Sequence, residues 1–264
     1  MNVLILGSNG FLGSYLKNNL KYNITSITRK ELDLTNLDQV KYYLRYNSGV
    51  DKFDVIINCA IVGGSYDKRD GLKENLSVFM NFFECSHLFG KYINIGSGAE
   101  FDKSKDITNA REEQIFTSTP KDDYGYVKNI ISRLCYQKSN FYTLRLFGCY
   151  DKSESKERLF KKLQANKVEL VKDRYFDYIS ARDFSKIVDY YCSSKKIRYK
   201  DINCVYSEKY KLSQLISMFD RQHNVKIINE KLNIPPDNYT GCGNKLNSLS
   251  IILDRQEYSI DQYG

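Results

Sequence analysis

The sequence of 264 residues lacks any apolar run approaching the roughly 18 residues that a membrane-spanning helix requires. Its first ten residues, MNVLILGSNG, are interrupted by glycine too early to form the apolar stretch of a signal peptide. These two absences predict a soluble, cytoplasmic protein with no membrane partner. The opening residues are more typical of a buried strand.

Metal-binding patterns are also missing. The chain has only two histidines, His87 and His223, and its seven cysteines show no C-x-x-C spacing. Since no carboxylate cluster accompanies the histidines, we expect no metal site, and in particular no zinc. The cysteines are Cys59, Cys85, Cys135, Cys149, Cys192, Cys204 and Cys242. Most lie in apolar stretches, which is typical of reduced core residues in a cytosolic protein.

The net charge of +8 is not concentrated in any segment. Lysines are spread along the whole chain, so the charge favours an anionic small substrate only weakly. We therefore expect no nucleic-acid partner.

Short apolar runs alternate with segments of helical periodicity in the first part of the chain. The predicted strands are 2–6, 24–28, 53–58, 91–96 and 141–147. The predicted helices are 11–21, 36–46, 74–88 and 125–138. This alternation predicts an α/β fold, with a Rossmann-type doubly wound parallel sheet covered by helices on both faces.

After about residue 150 the pattern is weaker. We predict helices over 155–165 and 182–192 and strands over 168–171 and 201–205. Residues 224–264 carry turn signals and little periodicity. The sequence thus predicts a dinucleotide-binding domain over 1–150 and a small substrate-binding lobe over 151–264, with parts of 178–206 returning to the Rossmann core.

A glycine-rich turn, GSNGFLG, lies between the first predicted strand and the first predicted helix. A dinucleotide pyrophosphate needs backbone amides at a helix N-terminus and no side chain in its way. Glycines are common in ordinary turns, but the strand–turn–helix context favours cofactor binding. The predicted cofactor-binding residues of this turn are Gly7, Asn9, Gly10, Phe11, Leu12 and Gly13.

The second strand ends at ITRK, residues 27–30. An enzyme that uses NAD usually has an acidic side chain here for the ribose hydroxyls. Arg29 stands at this point instead, and a guanidinium can pair with a 2′-phosphate through two hydrogen bonds. This predicts NADP(H) as the cofactor, with NAD and a plain solvated loop as the alternatives.

Tyr124 and Lys128 are four residues apart and share one face of a predicted helix. A free tyrosine has a pKa of about 10, and a neighbouring ammonium or cationic nicotinamide favours its phenolate. Ser97 follows the fourth predicted strand, at the end of a parallel sheet where ligands bind. With 22 tyrosines a chance pairing is the alternative, but Ser97 favours a catalytic trio of Ser97, Tyr124 and Lys128.

The glycine spacing and the order serine, tyrosine, lysine resemble the short-chain dehydrogenase/reductase family, and Phe11-Leu12 resembles its extended branch of NAD-dependent epimerases and dehydratases. The resemblance covers about residues 1–215. It implies further site residues: Asp33 and Leu34 along the adenine, Cys59 and Ala60 beside the nicotinamide, Lys128 on its ribose, and Arg174 on a nucleotide-sugar diphosphate. It also implies a homodimer through the helices at 74–88 and 125–138.

Within this branch, residues 28–34 and 60–64 are most similar to the GDP-fucose synthases, which epimerise two carbons and then reduce a 4-keto group with NADPH. That epimerisation relies on a cysteine two residues after the catalytic serine and on a later histidine. Here the first position is Ala99, and residues 152–165 contain no histidine. The resemblance therefore implies the reduction without the double epimerisation.

We accordingly predict an enzyme that reduces a keto group, at C4, on a nucleotide-activated sugar with NADPH. Ser97 positions the substrate oxygen and Tyr124 protonates it. One alternative is a nucleotide-sugar epimerase with bound NAD, against which Arg29 weighs. A dehydratase would carry threonine, aspartate and glutamate where this chain has SGA at 97–99. Another alternative is a non-catalytic NAD(P)-sensing protein, which would be expected to lack Tyr124 or Lys128.

Overall fold

The computed structural model describes residues 1–47, 52–62, 71–165, 169–170, 173–219, 226–227 and 237–254. The strands are β1 (Asn2–Leu6), β2 (Asn23–Ser26), β3 (Phe53–Asn58), β4 (Phe89–Ser97), β5 (Ile107–Ala110), β6 (Phe141–Leu146), β7 (Cys149–Tyr150), β8 (Glu169–Leu170), β9 (Ile179–Ser180), β10 (Asp201–Asn203), β11 (Lys226–Ile227) and β12 (Tyr239–Gly241). The helices are α1 (Phe11–Asn19), α2 (Leu37–Tyr42), α3 (Leu72–Glu84), α4 (Asp123–Cys135), α5 (Leu159–Gln164), α6 (Ala181–Ser193), α7 (Leu212–Phe219) and α8 (Asn244–Asn247). Within these ranges, no helix combines the length and the hydropathy needed to cross a membrane.

A six-stranded parallel sheet forms the centre of the fold, in the strand order β10-β6-β4-β3-β1-β2. β1 lies next to one edge of the sheet, which β2 forms. The chain then crosses back, and β3, β4, β6 and β10 extend the sheet in the other direction. Parallel strands connected through helices bury both faces of their sheet, which is why β1 and β3 are almost continuously apolar. The predicted doubly wound α/β fold is confirmed.

Two apolar layers enclose the sheet, because successive strand residues point to opposite faces. Val3 and Ile5 pack with α1 and α6 on one face. Leu4 and Leu6 pack with α2, α3 and α4 on the other. The sheet therefore lies between two apolar layers, and the candidate functional residues lie at the carboxyl ends of its strands.

Two predicted helices are shorter than expected. The segment predicted as helix 36–46 is α-helical only to Tyr42 and continues as a π-helical turn over Tyr43–Asn47. The helix predicted over 155–165 begins at Leu159. Ahead of it, the Asp151 carboxylate accepts hydrogen bonds from the backbone and the hydroxyl of Ser153, a local turn that competes with helix formation.

The chain after residue 150 contributes to both the core and the region beside the site. Strand β10 forms one edge of the central sheet, and α6 packs on one of its faces. Helix α7 was not predicted, and neither was β12, which pairs in parallel with β5. The predicted strand 168–171 lies only partly within the described residues, where β8 pairs with β11. The domain boundary near residue 150 stays a prediction.

Candidate active site

A cleft of about 1170 Å³ opens at the carboxyl ends of β1, β3 and β4. All predicted site residues except Asp33 and Lys128 line it. Those that line it are Gly7, Asn9, Gly10, Phe11, Leu12, Gly13, Arg29, Leu34, Cys59, Ala60, Ser97, Tyr124 and Arg174. The fold thus brings together residues that lie up to 167 positions apart in the sequence.

In the glycine turn at one end of the cleft, the backbone leaves no space for a side chain at Gly7 or Gly13. Gly7 has a φ of +72°, and a Cβ there would lie 2.6 Å from the backbone nitrogen of Ala60. A Cβ on Gly13 would lie 2.2 Å from the carbonyl oxygen of Gly7. Helix α1 begins directly after Gly10 with no side-chain cap. Its first amides are therefore available to an anion in the cleft.

Arg29 lies on the rim of the cleft and pairs with Glu74, with 2.8 Å between Nη2 and Oε1. Its side chain is 69% exposed, so the guanidinium can turn toward a ligand at little cost. Lys30 lines the same part of the cleft. The sequence predicted one positively charged side chain at this end of the cleft, and the structure has two there.

The Asp33 carboxylate accepts hydrogen bonds from the backbone and hydroxyl of Thr35, at 2.9 and 2.7 Å. These bonds hold the pKa of Asp33 below its usual value. Leu34, beside it, lines the cleft, and its carbonyl accepts a hydrogen bond from the Asn81 side chain of α3. In this structure the side chain that faces the predicted adenine position is the leucine.

Cys59 and Ala60 follow β3 and lie opposite the glycine turn. The backbone nitrogen of Ala60 donates to the Asn58 side chain at 3.1 Å. Burial raises the pKa of the Cys59 thiol to about 12. Cys59 is therefore a neutral thiol at physiological pH and acts as an apolar wall, not as a nucleophile.

Ser97 and Tyr124 both line the cleft, where Ser97 is close enough to lower the pKa of the Tyr124 phenol. Ser97 ends β4 and caps a short 3-10 helix over Gly98–Phe101, its Oγ accepting from the Ala99 nitrogen at 3.2 Å. Tyr124 lies in the first turn of α4, which Asp122 caps by accepting from the nitrogen of Gly125. Each hydroxyl is thus positioned by the end of a secondary-structure element.

Desolvation raises the pKa of Tyr124 above its ordinary value, while the neighbouring Ser97 hydroxyl and the Arg158 charge lower it. The net shift is upward. Tyr124 is therefore a protonated phenol at neutral pH, able to donate a proton to an oxygen that gains negative charge.

Lys128 lies one turn further along α4 and is buried, with its Nζ donating to the carbonyl oxygen of Ile95 at 2.6 Å. Burial lowers the pKa of this ammonium, and the Glu100 carboxylate opposes that shift. Lys128 therefore supplies positive charge beneath the cleft. Its contact with Ile95 also joins α4 to β4, which carries Ser97.

A buried charge network beneath Ser97 was not foreseen from the sequence. Arg145, on β6, is fully buried and donates from Nε to Oε2 of Glu100 at 2.6 Å. The same guanidinium contacts Asp201 and Asn203 of β10 at 3.3 and 3.1 Å. The other carboxylate oxygen of Glu100 accepts from the backbone nitrogen of Ser97 at 2.7 Å. The network therefore fixes the turn that carries Ser97.

Sequence reasoning missed a further group of residues that line the cleft, contributed mostly by the turn after Ser97 and by the chain after residue 146. They are Lys103, Lys105, Phe147, Arg158, Phe176, Asn238 and Tyr239. Arg158 stacks over the Phe11 ring at 5.1 Å and lies 3.9 Å from the Glu154 carboxylate. No periodic pattern marks these positions, because they lie in turns and in strands of two or three residues.

Arg174, the predicted diphosphate ligand, is half-buried in the wall of the cleft. Its Nη1 donates to the carbonyl oxygen of Asp237 at 3.2 Å, and its guanidinium lies 5.2 Å from the Phe176 ring centroid. A guanidinium has five donors, so one internal hydrogen bond leaves capacity for an anion.

Solved structures with the same fold include several nucleotide-sugar enzymes. A GDP-mannoheptose C4 reductase from Campylobacter jejuni with NADP bound has a TM-score of 0.77 at 17% identity, over 97% of this chain and 95% of that one. A dTDP-4-dehydrorhamnose reductase from Bacillus anthracis in complex with NADP has a TM-score of 0.75 at 17% identity, over 99% and 95%. A GDP-L-fucose synthetase from Naegleria fowleri has a TM-score of 0.73 at 16% identity, over 97% and 90%. At these identities the likeness establishes the fold.

No curated protein sequence matches the chain. A family model, in contrast, matches residues 3–204, which include the glycine turn, the predicted catalytic trio and Arg174. This match covers well over half of the sequence and confirms the resemblance seen in its motifs. The chain belongs to the NAD dependent epimerase/dehydratase family.

Proposed function

We propose that this protein is an oxidoreductase that uses NADPH to reduce a keto group, at C4, on a nucleotide-activated sugar. The observation that carries the proposal is that Ser97 and Tyr124 line the same cleft as the glycine turn. This places a hydrogen-bond donor and a proton donor at the carboxyl edge of the sheet, where a bound dinucleotide ends.

The residues of the cleft fit NADP. The glycine turn leaves a cradle that a Cβ would fill, and the free amides of α1 suit a pyrophosphate. Arg29 and Lys30 supply positive charge for a 2′-phosphate. NADPH, when bound, supplies the hydride. The solved reductases from Campylobacter jejuni and Bacillus anthracis hold NADP, which supports the same choice here.

Side chains of the protein then bind the substrate oxygen and supply the proton that the reduction requires. Ser97 binds the carbonyl oxygen, and Tyr124 transfers its phenolic proton to that oxygen as negative charge develops on it. Lys128 stabilises the phenolate that remains through its positive charge. The upward shift in the pKa of Tyr124 favours this direction, because the acid form predominates before the reaction.

Cations at the other side of the cleft support a nucleotide diphosphate as the anchor of the substrate. Arg174, Lys103 and Lys105 line this part of the wall, and the solved relatives are described as acting on sugars linked to GDP or dTDP. We propose that Arg174 binds the diphosphate, as its guanidinium geometry matches phosphate oxygens.

The cleft is equipped for reduction without epimerisation. Ala99 occupies the position of the cysteine that the GDP-fucose synthases use, and it is buried. From the segment 152–165, the side chain that lines the cleft is Arg158. A guanidinium has no acceptor atom, so Arg158 does not replace the histidine that the GDP-fucose synthases use in epimerisation.

The test uses the purified protein with NADPH and a panel of 4-keto-6-deoxy sugars linked to GDP, dTDP, UDP or CDP, followed by loss of nicotinamide absorbance. We expect stoichiometric oxidation with one of the nucleotides and a product that differs from the substrate only at C4. Product analysis by NMR checks the second point. NADPH binding without oxidation by any member of the panel would contradict the proposal.

We also propose that the protein is a cytoplasmic homodimer that associates through α3 and α4. Tyr126 on α4 is 42% exposed, and the nearby Phe116 is 43% exposed. The seven cysteines are unpaired, as expected in a reducing compartment. Light scattering should give twice the mass of the chain, and a monomer at micromolar concentration would refute the dimer. Cell fractionation tests the location.

A further inference from the structure

Arg158 brings a guanidinium to the end of the cleft that carries the glycine turn. Its Cζ atom lies 5.1 Å from the centroid of the Phe11 ring. Phe11 is the first residue of α1 and directly follows Gly10, and both residues line the cleft together with Arg158. The arginine therefore lies close to the turn whose backbone amides are available to an anion.

The start of α5 fixes the backbone at Arg158. The nitrogen of Arg158 donates to the carbonyl oxygen of Ser155 at 3.1 Å, and its carbonyl oxygen accepts from the nitrogen of Lys162 at 2.9 Å. Two residues further on, Phe160 is fully buried, and its ring packs against that of Phe219 with the centroids 4.8 Å apart. Because the backbone is anchored to the core in this way, only the side chain of Arg158 has to adjust to a ligand.

The guanidinium of Arg158 has unused capacity for hydrogen bonding. Its Nε lies 3.9 Å from Oε2 of Glu154, which is too long for a hydrogen bond. In the part of the chain that the structure describes, this guanidinium makes no hydrogen bond. The side chain is 28% exposed, so its charge is partly removed from water, where an ionic hydrogen bond is stronger. Its five N–H donors are thus available to a phosphate, which a guanidinium can bind through two parallel bonds.

Two phosphate-containing groups meet in the proposed complex: the pyrophosphate of the cofactor and the diphosphate of the nucleotide sugar. Arg174, the residue proposed for the substrate, lies 5.2 Å from the Phe176 ring and donates to the carbonyl oxygen of Asp237. Arg158 instead contacts Phe11, at the turn where a dinucleotide pyrophosphate binds in this fold. The two arginines therefore serve different parts of the cleft, and the place of Arg158 favours the cofactor.

We propose that Arg158 binds the pyrophosphate of the dinucleotide and so adds a side-chain cation to the backbone amides of the glycine turn. This inference rests on the proposed use of NADPH and deepens it. It assigns a cofactor contact to the chain after residue 150, which the sequence predicted to bind the substrate. Since NADP and NAD both contain a pyrophosphate, Arg158 contributes to the affinity for either one, whereas Arg29 is proposed to choose between them.

The experiment titrates NADPH and NADH into the wild type and into Arg158→Met by calorimetry, without substrate. Methionine keeps an unbranched apolar side chain against Phe11 and removes the charge. We expect the dissociation constants of both dinucleotides to rise by the same factor, about 10- to 100-fold, the range for lost hydrogen bonds to a charged group. Arg198→Met is the matched control and should bind both like the wild type, because its guanidinium lies 5.0 Å from the Tyr199 ring and does not line the cleft.

Two further measurements separate the charge of Arg158 from its packing. Arg158→Lys keeps the charge without the fork of donors, so it should recover part of the affinity for NADPH. Raising the NaCl concentration should weaken NADPH binding to the wild type, and it should do so less strongly in Arg158→Met. A lysine variant that binds no better than the methionine variant, together with an unchanged salt dependence, would mean that Arg158 only packs against Phe11. That result would overturn the inference.

Dissociation constants that stay within about twofold of the wild type in Arg158→Met would also overturn it. Weaker binding of NADPH alone would do the same, because it would assign Arg158 to the 2′-phosphate. With NADP⁺ at saturation, Arg158→Met should leave the binding of GDP and dTDP unchanged, and a loss confined to these nucleotides would place Arg158 at the substrate instead. If the wild type binds NADPH but reduces no nucleotide sugar, the proposed function fails, and these titrations still decide the role of Arg158.

Discussion

Tyr124 differs from most of the 22 tyrosines in this chain because it lines the cleft together with Ser97. We expect Tyr124→Phe to lower kcat by about 100-fold or more, because it removes the proton donor, while the dissociation constant for NADPH stays within about twofold. Steady-state kinetics and fluorescence titration measure the two quantities. Tyr126→Phe, two residues away on an exposed face of the same helix, is the control and should retain full activity. Near-normal turnover in Tyr124→Phe would exclude this residue as the acid.

In the proposed mechanism the same phenol determines the pH dependence of the reduction. Its pKa is raised, so the active, protonated form is fully present at neutral pH and is lost only as the pH rises through the shifted value. The kcat should therefore be flat across the neutral range and fall in alkaline solution, near or above the ordinary tyrosine value of about 10. A rate that increases with pH over the neutral range would indicate that a deprotonated group is required instead. A pH–rate profile at saturating NADPH checks this.

Arg29 determines which dinucleotide binds, if its guanidinium leaves Glu74 for a 2′-phosphate. We expect Arg29→Ala to weaken NADPH binding about 10- to 100-fold, the range for a lost charge-assisted hydrogen bond, and to leave NADH binding nearly unchanged. Calorimetric titration with both cofactors gives the ratio. Arg45→Ala removes an exposed arginine that does not line the cleft and is the matched control. Equal weakening of both cofactors in Arg29→Ala would argue against a role in selecting the phosphate.

At the scale of elements, the sequence predicted those helices, strands and turns that are specified by residues close together in the chain. It did not predict those that depend on distant contacts. The glycine turn, the strand before Ser97 and the helix that carries Tyr124 and Lys128 are each specified by neighbouring residues, and they were predicted in the right places. Strand β12 has three residues and no pattern of its own. Its place depends on contacts such as that between Thr240 and Asn109, 131 positions apart. Tyr239 was missed for that reason.

The ion pair between Glu100 and Arg145 was missed for a different reason. Both residues are charged and fully buried, whereas a sequence reading expects charged side chains at the surface. Nothing local marks either residue as buried, since the two charges are 45 positions apart in the sequence and Asp201, the second partner of Arg145, is still further along the chain. The contacts that form the cleft, the core and the charge network therefore join residues that are distant in the sequence, and they exist only in the folded chain.

The turn between β1 and α1 provides a test at the level of an element. A Cβ on Gly13 would lie 2.2 Å from the carbonyl oxygen of Gly7, a backbone atom that cannot move aside without shifting the strand. We expect Gly13→Ala to destabilise the protein by about 1–3 kcal/mol and to weaken NADPH binding, because α1 is pushed away from the turn. Gly243→Ala is the control: its nearest neighbour would be at 3.4 Å, an ordinary contact. Thermal melting with and without NADPH measures both effects, and a Gly13→Ala protein that melts and binds like the wild type would contradict this account of the turn.

At the scale of the whole molecule, Arg145 connects the stability of the sheet to the geometry of the site. It lies on β6, contacts Glu100 after β4 and Asp201 on β10, and is completely buried. Arg145→Ala would leave the buried Glu100 carboxylate without its ion-pair partner, while Asp201 keeps Lys245. Removing one partner of a buried pair costs about 3–5 kcal/mol of unfolding free energy. Because Glu100 also accepts from the Ser97 nitrogen, the surviving folded protein should have a lower kcat as well.

Urea unfolding followed by circular dichroism measures the loss of stability, and turnover per folded molecule measures the effect on the site. Arg182→Ala serves as the comparison, since it breaks an ion pair with Asp254 in which the arginine side chain is 58% exposed. An exposed pair of this kind contributes at most about 1 kcal/mol. If Arg145→Ala were no more destabilising than Arg182→Ala, the burial of apolar side chains alone would hold β4, β6 and β10 together. The charge network would then serve only to orient Ser97, and the decrease in kcat would have to persist at full stability.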